Sequence, residues 1–456
     1  MNEIVFGTDG WRATLDTFTE ERVRIVAQAA AEYFREQDAT TVGVGYDARE
    51  TSPRFARALT EVLAGNGLDV VVSERDCPTP VLAWTLKDRQ LDGGLVVTAS
   101  HNPPEYNGVK FLSPDGSPAG EAITDRLESL LAEPDLRPEA EHGTVSEENL
   151  VPEYIRHALA FTEADITGLS VAYDAMHGSG RDVTDALLAE AGADVQRLRC
   201  ELDPTFGGGS PEPTADKLDT LVERVTEGDA ELGFANDGDA DRLAVVTPGR
   251  GFLDPNLLYA ALYEYLLESD GGPAVRTVST TFLVDKIAAA HGEETVEVPV
   301  GFKWVAQGMQ DAGALCGGEE SGGFGITRHL RNKDGVLIAL VVAAAHTERP
   351  LDDRVDAITA AHGDIYQDRI SVDCPDDRKA AVLDELDGSL PETILGVSVD
   401  RVDTKDGFKI FLADGSWLLV RPSGTEPKLR VYAEADSESH VEELLDAGRD
   451  IVEPLV

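Results

Sequence analysis

Residues 41–100 read TVGVGYDARETSPRFARALTEVLAGNGLDVVVSERDCPTPVLAWTLKDRQLDGGLVVTAS. Three short apolar runs, TVGVGYD, LDVVVSE and DGGLVVTAS, alternate with helical patterns. SPRFARALTEVLAGNG runs from a Ser N-cap to a Gly stop, and LAWTLKD is a second helical segment. This rhythm predicts an α/β layer built mainly on parallel strands. The last strand ends in Thr98-Ala-Ser-His-Asn-Pro-Pro104, where two prolines rule out both helix and ladder continuation.

Outward from this stretch the rhythm repeats. Residues 132–149, AEPDLRPEAEHGTVSEEN, are acidic, carry two prolines and read as a linker or exposed connection. A second round follows: GLSVAYDAMHGSG as strand, DVTDALLAEAG as helix, ADVQRLR as strand, LDTLVERVTEGD as helix and ELGFAND as strand. After Pro255 a third round runs through NLLYAALYEYLLES, AVRTVSTT, FLVDKIAAAHG, TVEVPV and WVAQGMQDAG to a glycine-rich loop and the helix DGVLIALVVAAAHTE. Three similar units in series predict a repeated architecture without a residue-level repeat. From about Gly363 the pattern changes to hairpins, DGFKIFLADGSWLLVRPSG and KLRVYAEA, with a final helix HVEELLDAGRDIV. That predicts a separate α+β domain with an antiparallel sheet.

With 456 residues the chain exceeds what one core serves, and two to four domains are expected. Its formal charge is −46, from 85 acidic against 39 basic residues, of which only ten are lysine. Such a carboxylate-coated, lysine-poor surface is expected of a halophilic cytoplasm, and it disfavours nucleic acid and anionic membranes as partners. Cys77, Cys200, Cys316 and Cys374 are widely spaced, so neither a zinc site nor a disulfide framework is signalled. The N-terminal MNEIVFGTDG lacks a basic and apolar leader pattern. The longest apolar run, Val336 to Ala345, falls well short of the ~20 residues of a membrane span, so a soluble, cytoplasmic protein is expected.

Four stretches carry chemistry. Ser100-His101 invites a hydrolase reading, but the positions two residues either side of the serine hold Thr98 and Asn102 instead of glycine. For the pair alone, Ser and Asn capping a turn is the simpler explanation. In Asn236-Asp-Gly-Asp-Ala-Asp-Arg242 three carboxylates at alternate positions can converge on one hard divalent cation, where unpaired they would repel one another. A solvated acidic turn is the competing explanation; an EF-hand is excluded by Arg242 and Pro248 at its sixth and twelfth positions. Open coordination positions suit Mg²⁺ shared with a phosphate. Gly317-Gly-Glu-Glu-Ser-Gly-Gly323 places a carboxylate and a hydroxyl between exposed backbone groups, suited to sugar hydroxyls or to no more than a flexible loop. Arg421-Pro-Ser-Gly-Thr-Glu-Pro-Lys-Leu-Arg430 offers hydroxyls, successive N–H groups and guanidinium forks, which reads as a phosphate cradle or as a charged hairpin. Neither a Walker A loop nor a strand-linked GxGxxG occurs.

In this order the four stretches, with FGTDGWR at Phe6 to Arg12, resemble the α-D-phosphohexomutase family of phosphoglucomutases, phosphomannomutases and phosphoglucosamine mutases. The resemblance covers nearly the whole chain. It implies four domains around a central cleft: three related three-layer α/β domains at 1–140, 141–248 and 249–362, and a C-terminal α+β domain with an antiparallel sheet at 363–456. It implies that Ser100 carries the transferable phosphoryl group and that Asp237, Asp239 and Asp241 hold Mg²⁺ together with a phosphoserine oxygen. Glu319 and Ser321 would meet the sugar, and Arg421, Ser423, Gly424, Thr425 and Arg430 the unreactive phosphate. Arg12, His101, Lys110, Arg242 and Lys303 fall where the family places basic groups. One departure stands out: some members end the sugar loop in histidine, as in GEMSGH, whereas this chain has Gly323. The general acid/base is then open among His101, Lys110, Lys303 and His329, with His101 and Lys110 favoured as neighbours of the nucleophile. The implied activity is interconversion of hexose 1- and 6-phosphates, with glucose preferred over mannose or glucosamine. Glucose 1,6-bisphosphate is the implied activator, the sugar phosphates are the only partners, and the protein is a monomer or homodimer. A metal-dependent sugar-phosphate phosphatase is the distant alternative.

Overall fold

The computed structural model describes residues 4–7, 9–424 and 426–456. Its first sheet contains β1 (Trp11–Thr14), β2 (Thr41–Tyr46), β3 (Asp69–Ser73), β4 (Gly94–Val97), β5 (Tyr106–Leu112) and β6 (Val145–Glu148), in the order β1-β5-β4-β2-β3-β6. The strands are buried on both faces, and their side chains alternate between two cores. Val70, Val72, Leu95 and Val97 pack with helices Glu20–Glu36 and Ser52–Gly65, whereas Val71 and Val96 pack with helix Thr79–Asp88 on the other side. Two helices, a sheet and a helix make the three layers.

The second sheet, β7 (Ser170–Asp174), β8 (Asp194–Leu198), β9 (Leu232–Asn236), β10 (Leu243–Thr247) and β11 (Gly251–Leu253), has the order β11-β10-β9-β7-β8. The third, β12 (Ala274–Thr277), β13 (Thr295–Val298), β14 (Cys316–Gly318) and β15 (Phe324–Ile326), has the order β13-β12-β14-β15. One four-strand motif recurs in all three: β3-β2-β4-β5, β8-β7-β9-β10 and β13-β12-β14-β15 each have three parallel strands and an antiparallel fourth. The third-to-fourth hairpin carries Ser100 in the first unit, the three aspartates in the second and the Gly-Glu-Glu loop in the third.

The fourth strands lie outside the parallel pattern read from the sequence. β15 is hidden in the glycine-rich stretch, and β5 follows directly on the rigid turn. Residues 132–149 are more than a connection, because β6 within them pairs with β3 and extends the first sheet. Ser52 is the first residue inside its helix instead of the N-cap, and its hydroxyl donates to Asp47 Oδ1 (2.6 Å). The apolar run at Val336–Ala345 forms the buried helix Gly335–Glu348, which packs on β9, β10 and helix Thr184–Glu190, and joins the first three units into one continuous core. Asp334 caps it by accepting from Leu337 N (2.8 Å). No helix among the described residues is long and apolar enough to cross a membrane.

The last sheet, β16 (Tyr366–Asp373), β17 (Thr393–Ile394), β18 (Val397–Asp403), β19 (Phe408–Leu412), β20 (Trp417–Pro422) and β21 (Lys428–Ala435), is antiparallel throughout, in the order β16-β21-β20-β19-β18-β17. It has its own core beneath helix Glu438–Val452. Its other face meets the third unit through Phe411, Trp417, Leu419 and Tyr432 against Val278, Phe282 and Val300. Lys409 is buried in that contact, over the rings of Phe282 and Trp417 (4.2 Å each) and 3.0 Å from Glu297 Oε2.

Candidate active site

The turn after β4 is held by side chains that leave the nucleophile little freedom. Thr98 Oγ1 accepts from Ser100 N (2.8 Å) and donates to Asp47 Oδ2 (2.7 Å). Ser100 takes the left-handed φ of +51°, a conformation that for a non-glycine residue persists only where its surroundings enforce it. Its buried Oγ donates to Asp237 Oδ2 (2.6 Å) and lies 3.3 Å from His101 Nδ1. Gly238 allows the approach, since a Cβ there would fall 2.5 Å from Ser100 O.

The aspartate loop leaves β9 and returns in β10. Asn236 staples its two ends: Nδ2 donates to Arg242 O (2.7 Å), while Oδ1 accepts from Tyr173 (2.9 Å) and Thr184 (2.8 Å). Ligand oxygens of Asp237, Asp239 and Asp241 lie within 4.8 Å of one another, all buried. Lys110 Nζ donates to Asp239 Oδ2 and Asp241 Oδ2 (2.7 Å each), and Lys333 Nζ lies 3.0 Å from Asp241 Oδ2. The second oxygens, Asp239 Oδ1 and Asp241 Oδ1, are buried without a partner. Buried oxygens of this kind carry a desolvation cost that a hard divalent cation offsets, so the donor set fits Mg²⁺.

The electrostatics follow from crowding. Burial, with Asp239 and Asp241 alongside, holds Asp237 well above the usual carboxylate range. Burial also pushes Asp239 up, but Lys110, Thr79 and Lys333 overcome it and leave the carboxyl lowered. For Lys110, burial is outweighed by Asp239, Asp241 and Asp9, and the ammonium keeps its proton more tightly than usual. Burial, with Arg242, Arg12 and Lys333 close by, keeps the His101 imidazole well below its ordinary value. Arg12 donates to Asp9 Oδ2 (2.6 Å) and Asn102 Oδ1 (3.3 Å), and Arg242 N donates to Asp237 Oδ1 (3.1 Å).

In the third hairpin Gly322 (φ +84°) turns the loop, and Leu243 N donates to its carbonyl (2.9 Å), which ties the sugar loop to β10. Buried Glu319 accepts from Gly301 N (3.0 Å), next to Lys303 in sequence. Burial pushes the Glu319 carboxyl up to about 7, against the pull of Lys333 and Arg242. Ser321 is partly exposed at the loop tip. Lys303 reaches across to Glu121 of the first unit (3.3 Å).

In the C-terminal domain Arg421 and Arg430 stand opposite each other in the β20–β21 ladder. Arg421 Nε donates to Asp406 Oδ2 (3.1 Å), which also accepts from Val300 N of the third unit (2.9 Å); Arg430 pairs with Glu426. Lys379 Nζ braces the loop through the carbonyls of Ser423 and Glu426 (2.6 Å each). Ser423 is buried and Gly424 exposed; Thr425 lies outside the described residues.

The structure thus brings Ser100, His101, Lys110, Arg12, the three aspartates and Arg242 into one nest, with Glu319 bordering it. It does not bring His329 there. That ring is buried between Asp334 (2.7 Å) and His157 (2.9 Å) and stacks on His157, in the seam between helix Val151–Thr162 and the third unit. A histidine spent on two neighbours in a closed core is poorly placed to exchange protons with a sugar. Sequence alone assigns Asp9 and Lys333 no role, yet both enter the nest, Lys110 Nζ lying 3.2 Å and Lys333 Nζ 3.4 Å from Asp9 Oδ2. Lys333 is signalled by its place before Asp334-Gly335; Asp9 has no signal beyond lying within FGTDGWR.

The chain matches, domain by domain, "Phosphoglucomutase/phosphomannomutase, alpha/beta/alpha domain I" at residues 3–138, domain II at 152–250, domain III at 254–361 and the C-terminal domain at 370–451. It belongs to the α-D-phosphohexomutase family. A Methanopyrus kandleri protein carried as "Probable phosphoglucosamine mutase" is 35% identical, over 98% of this chain and 97% of that one. A "Phosphopentomutase" of Thermococcus kodakarensis is 32% identical, over 99% and 98%. A crystal structure described as a phosphomannomutase from Thermus thermophilus superposes with a TM-score of 0.86 at 31% identity, covering 99% of each chain. As a phosphohexomutase the chain is an intramolecular phosphotransferase of four domains, and its hairpin loops are the parts in which family chemistry is sought.

Proposed function

We propose that this phosphohexomutase interconverts glucose 1-phosphate and glucose 6-phosphate, with Ser100 as phosphoryl carrier. The observation that carries the reading is the Ser100 Oγ at 2.6 Å from Asp237, inside a buried nest of three aspartates flanked by Lys110, Arg12 and Arg242. Asp237, Asp239 and Asp241 would hold Mg²⁺, which when bound supplies charge stabilisation to the oxygens of the transferring group. Lys110, held protonated by its carboxylates, adds a fixed positive charge beside them.

In the forward half-reaction the bond from phosphorus to Ser100 Oγ breaks as the bond to the sugar O6 forms. The hydroxyl proton leaves O6, and one is returned to Ser100 Oγ. His101, kept neutral by its surroundings and 3.3 Å from that oxygen, is the proton acceptor and donor. The 1,6-bisphosphate then turns end for end and returns its other phosphoryl group to Ser100. Glu319 and Ser321 hold sugar hydroxyls in either orientation, and Arg421, Ser423, Gly424, Thr425 and Arg430 hold the idle phosphate. Glucose 1,6-bisphosphate serves as activator by rephosphorylating Ser100. The acidic surface suits a salt-rich cytoplasm.

The relatives carry glucosamine, pentose and mannose names, so the sugar is the part to test. The test is a panel of glucose, mannose, glucosamine and ribose 1-phosphates, with and without glucose 1,6-bisphosphate. The highest kcat/KM is expected on glucose, with little release of inorganic phosphate. No detectable glucose turnover would sink this assignment, and steady phosphate release would favour a phosphatase. Ser100→Ala should abolish turnover and the gain of about 80 Da on the Ser100 peptide.

A further inference from the structure

Arg49 has no place in the chemistry above, yet it is among the largest fully buried side chains of the protein. Nε donates to Asp47 Oδ2 (2.9 Å). One terminal nitrogen donates to Pro103 O (2.7 Å) and Tyr106 O (3.1 Å), the other to Ser100 O (2.8 Å) and Asn102 O (2.6 Å). One guanidinium therefore gathers four carbonyls of the loop that carries Ser100. A lysine ammonium, a point charge with three donors, cannot span them. Asp47 is itself fixed by Ser52 (2.6 Å) and Thr98 (2.7 Å), so the fork cannot rotate away.

The face of that guanidinium is covered from the second unit. Phe206 lies under it, with the ring centroid 5.0 Å from Cζ, and is itself buried. Asp203 builds the turn that presents the ring: its carboxylate accepts from Thr205 N (2.9 Å), Thr205 Oγ1 (2.7 Å) and Gly207 N (3.1 Å). A few residues on, the same strap reaches the aspartate loop. A Cβ at Gly238 would lie 3.0 Å from Pro211 Cγ, and Glu212 pairs with Arg242 at 3.8 Å. The stretch from Asp203 to Glu212 thus touches the support of the serine loop at one end and the aspartate loop at the other.

We infer that Arg49 is the positioning residue of the Ser100 loop and that Phe206 locks it. The two hairpin loops are thereby set against each other by a contact outside both. This rests on Ser100 being the phosphoryl carrier, and it adds a strap from the second unit on which the carrier's placement depends. A guanidinium over an aromatic face is most stabilising when shielded from water, as here.

The test uses the full chain with Arg49→Lys, Phe206→Leu and the double variant, neither residue touching substrate. Arg49→Lys should lower kcat on the order of 100-fold with KM little changed, as a misplaced reacting group does. Phe206→Leu keeps an apolar side chain and should cost about tenfold in kcat, shorten the lifetime of the phosphoserine followed by intact mass, and speed amide exchange at residues 99–106. The double variant should match Arg49→Lys alone, because Phe206 acts through Arg49. Effects that multiply, or a Phe206→Leu protein with unchanged kcat and unchanged exchange at 99–106, would overturn the inference. If Arg49→Lys fails to fold, Phe206→Leu alone decides through those readouts. A wild-type protein that gains no mass on the Ser100 peptide refutes the carrier reading, while the exchange comparison still judges the strap.

Discussion

Glu319→Gln probes the sugar loop through pH. Burial raises the Glu319 carboxyl from 4.5 to about 7, with Lys333 and Arg242 pulling against it and Glu320 adding to it. Ionising this group in place therefore costs about 3 kcal/mol more than in water. Accepting hydrogen bonds from sugar hydroxyls needs the ionised form, and kcat/KM reports the free enzyme's titration. At pH 5 only about 1% of the protein has Glu319 ionised, so the wild-type advantage should be on the order of 100-fold below its plateau. The ratio of wild-type to Glu319→Gln kcat/KM should rise about tenfold per pH unit from pH 5 and level off above about pH 7. Because the substrate phosphate titrates equally for both proteins, it cancels in the ratio. Stability moves the opposite way. Between 4.5 and about 7 the unfolded chain releases the proton that the folded chain keeps, so this group's contribution falls as pH rises and is lost above the folded value. A flat ratio between pH 5 and 8, or one falling with pH, would refute the assignment of Glu319 as an ionised sugar acceptor.

Three further outcomes follow from particular contacts. Gly335→Ala places a Cβ 2.3 Å from Arg242 O and 2.7 Å from Asn236 Nδ2, so it should break the staple of the aspartate loop and weaken Mg²⁺ binding in calorimetric titration on the order of 10-fold or more. His329→Gln should lower thermal stability by about 1–3 kcal/mol through its lost buried partners and leave the pH profile of kcat/KM unchanged; an altered profile would return His329 to the catalytic set. With a charge of −46, the unfolding temperature should rise with added KCl as like-charge repulsion is screened, and differential scanning fluorimetry over a salt series checks it.

Much of the fold was legible because parallel strands buried on both faces read as uninterrupted apolar runs, as in LVV and VVV, between helices with clear starts and stops. The antiparallel fourth strands were not. Gly317, Gly318 and Gly325 in the third hairpin carry no β-forming side chain, and each is glycine because a Cβ would strike a neighbour: Val305, Phe324 and Asn332 O respectively. β6 was masked by Glu147 and Glu148, which an edge strand tolerates because one side faces water.

By itself the sequence determined which groups exist for chemistry: a serine at a strand end, three alternating aspartates, a Glu-Glu loop and an arginine-flanked phosphate cradle. These are local patterns, fixed by neighbours along the chain. Only the tertiary structure decided which of them meet. It put Ser100 against Asp237, brought Lys110, Asp9 and Lys333 to the aspartates from other hairpins and loops, and left His329 in a closed seam. It also placed Arg49 and Phe206, more than a hundred residues apart, face to face behind the nucleophile. Proton affinity, ion pairing and burial depend on distances through space, and those are set when the recurring hairpins from separate units converge on one cleft.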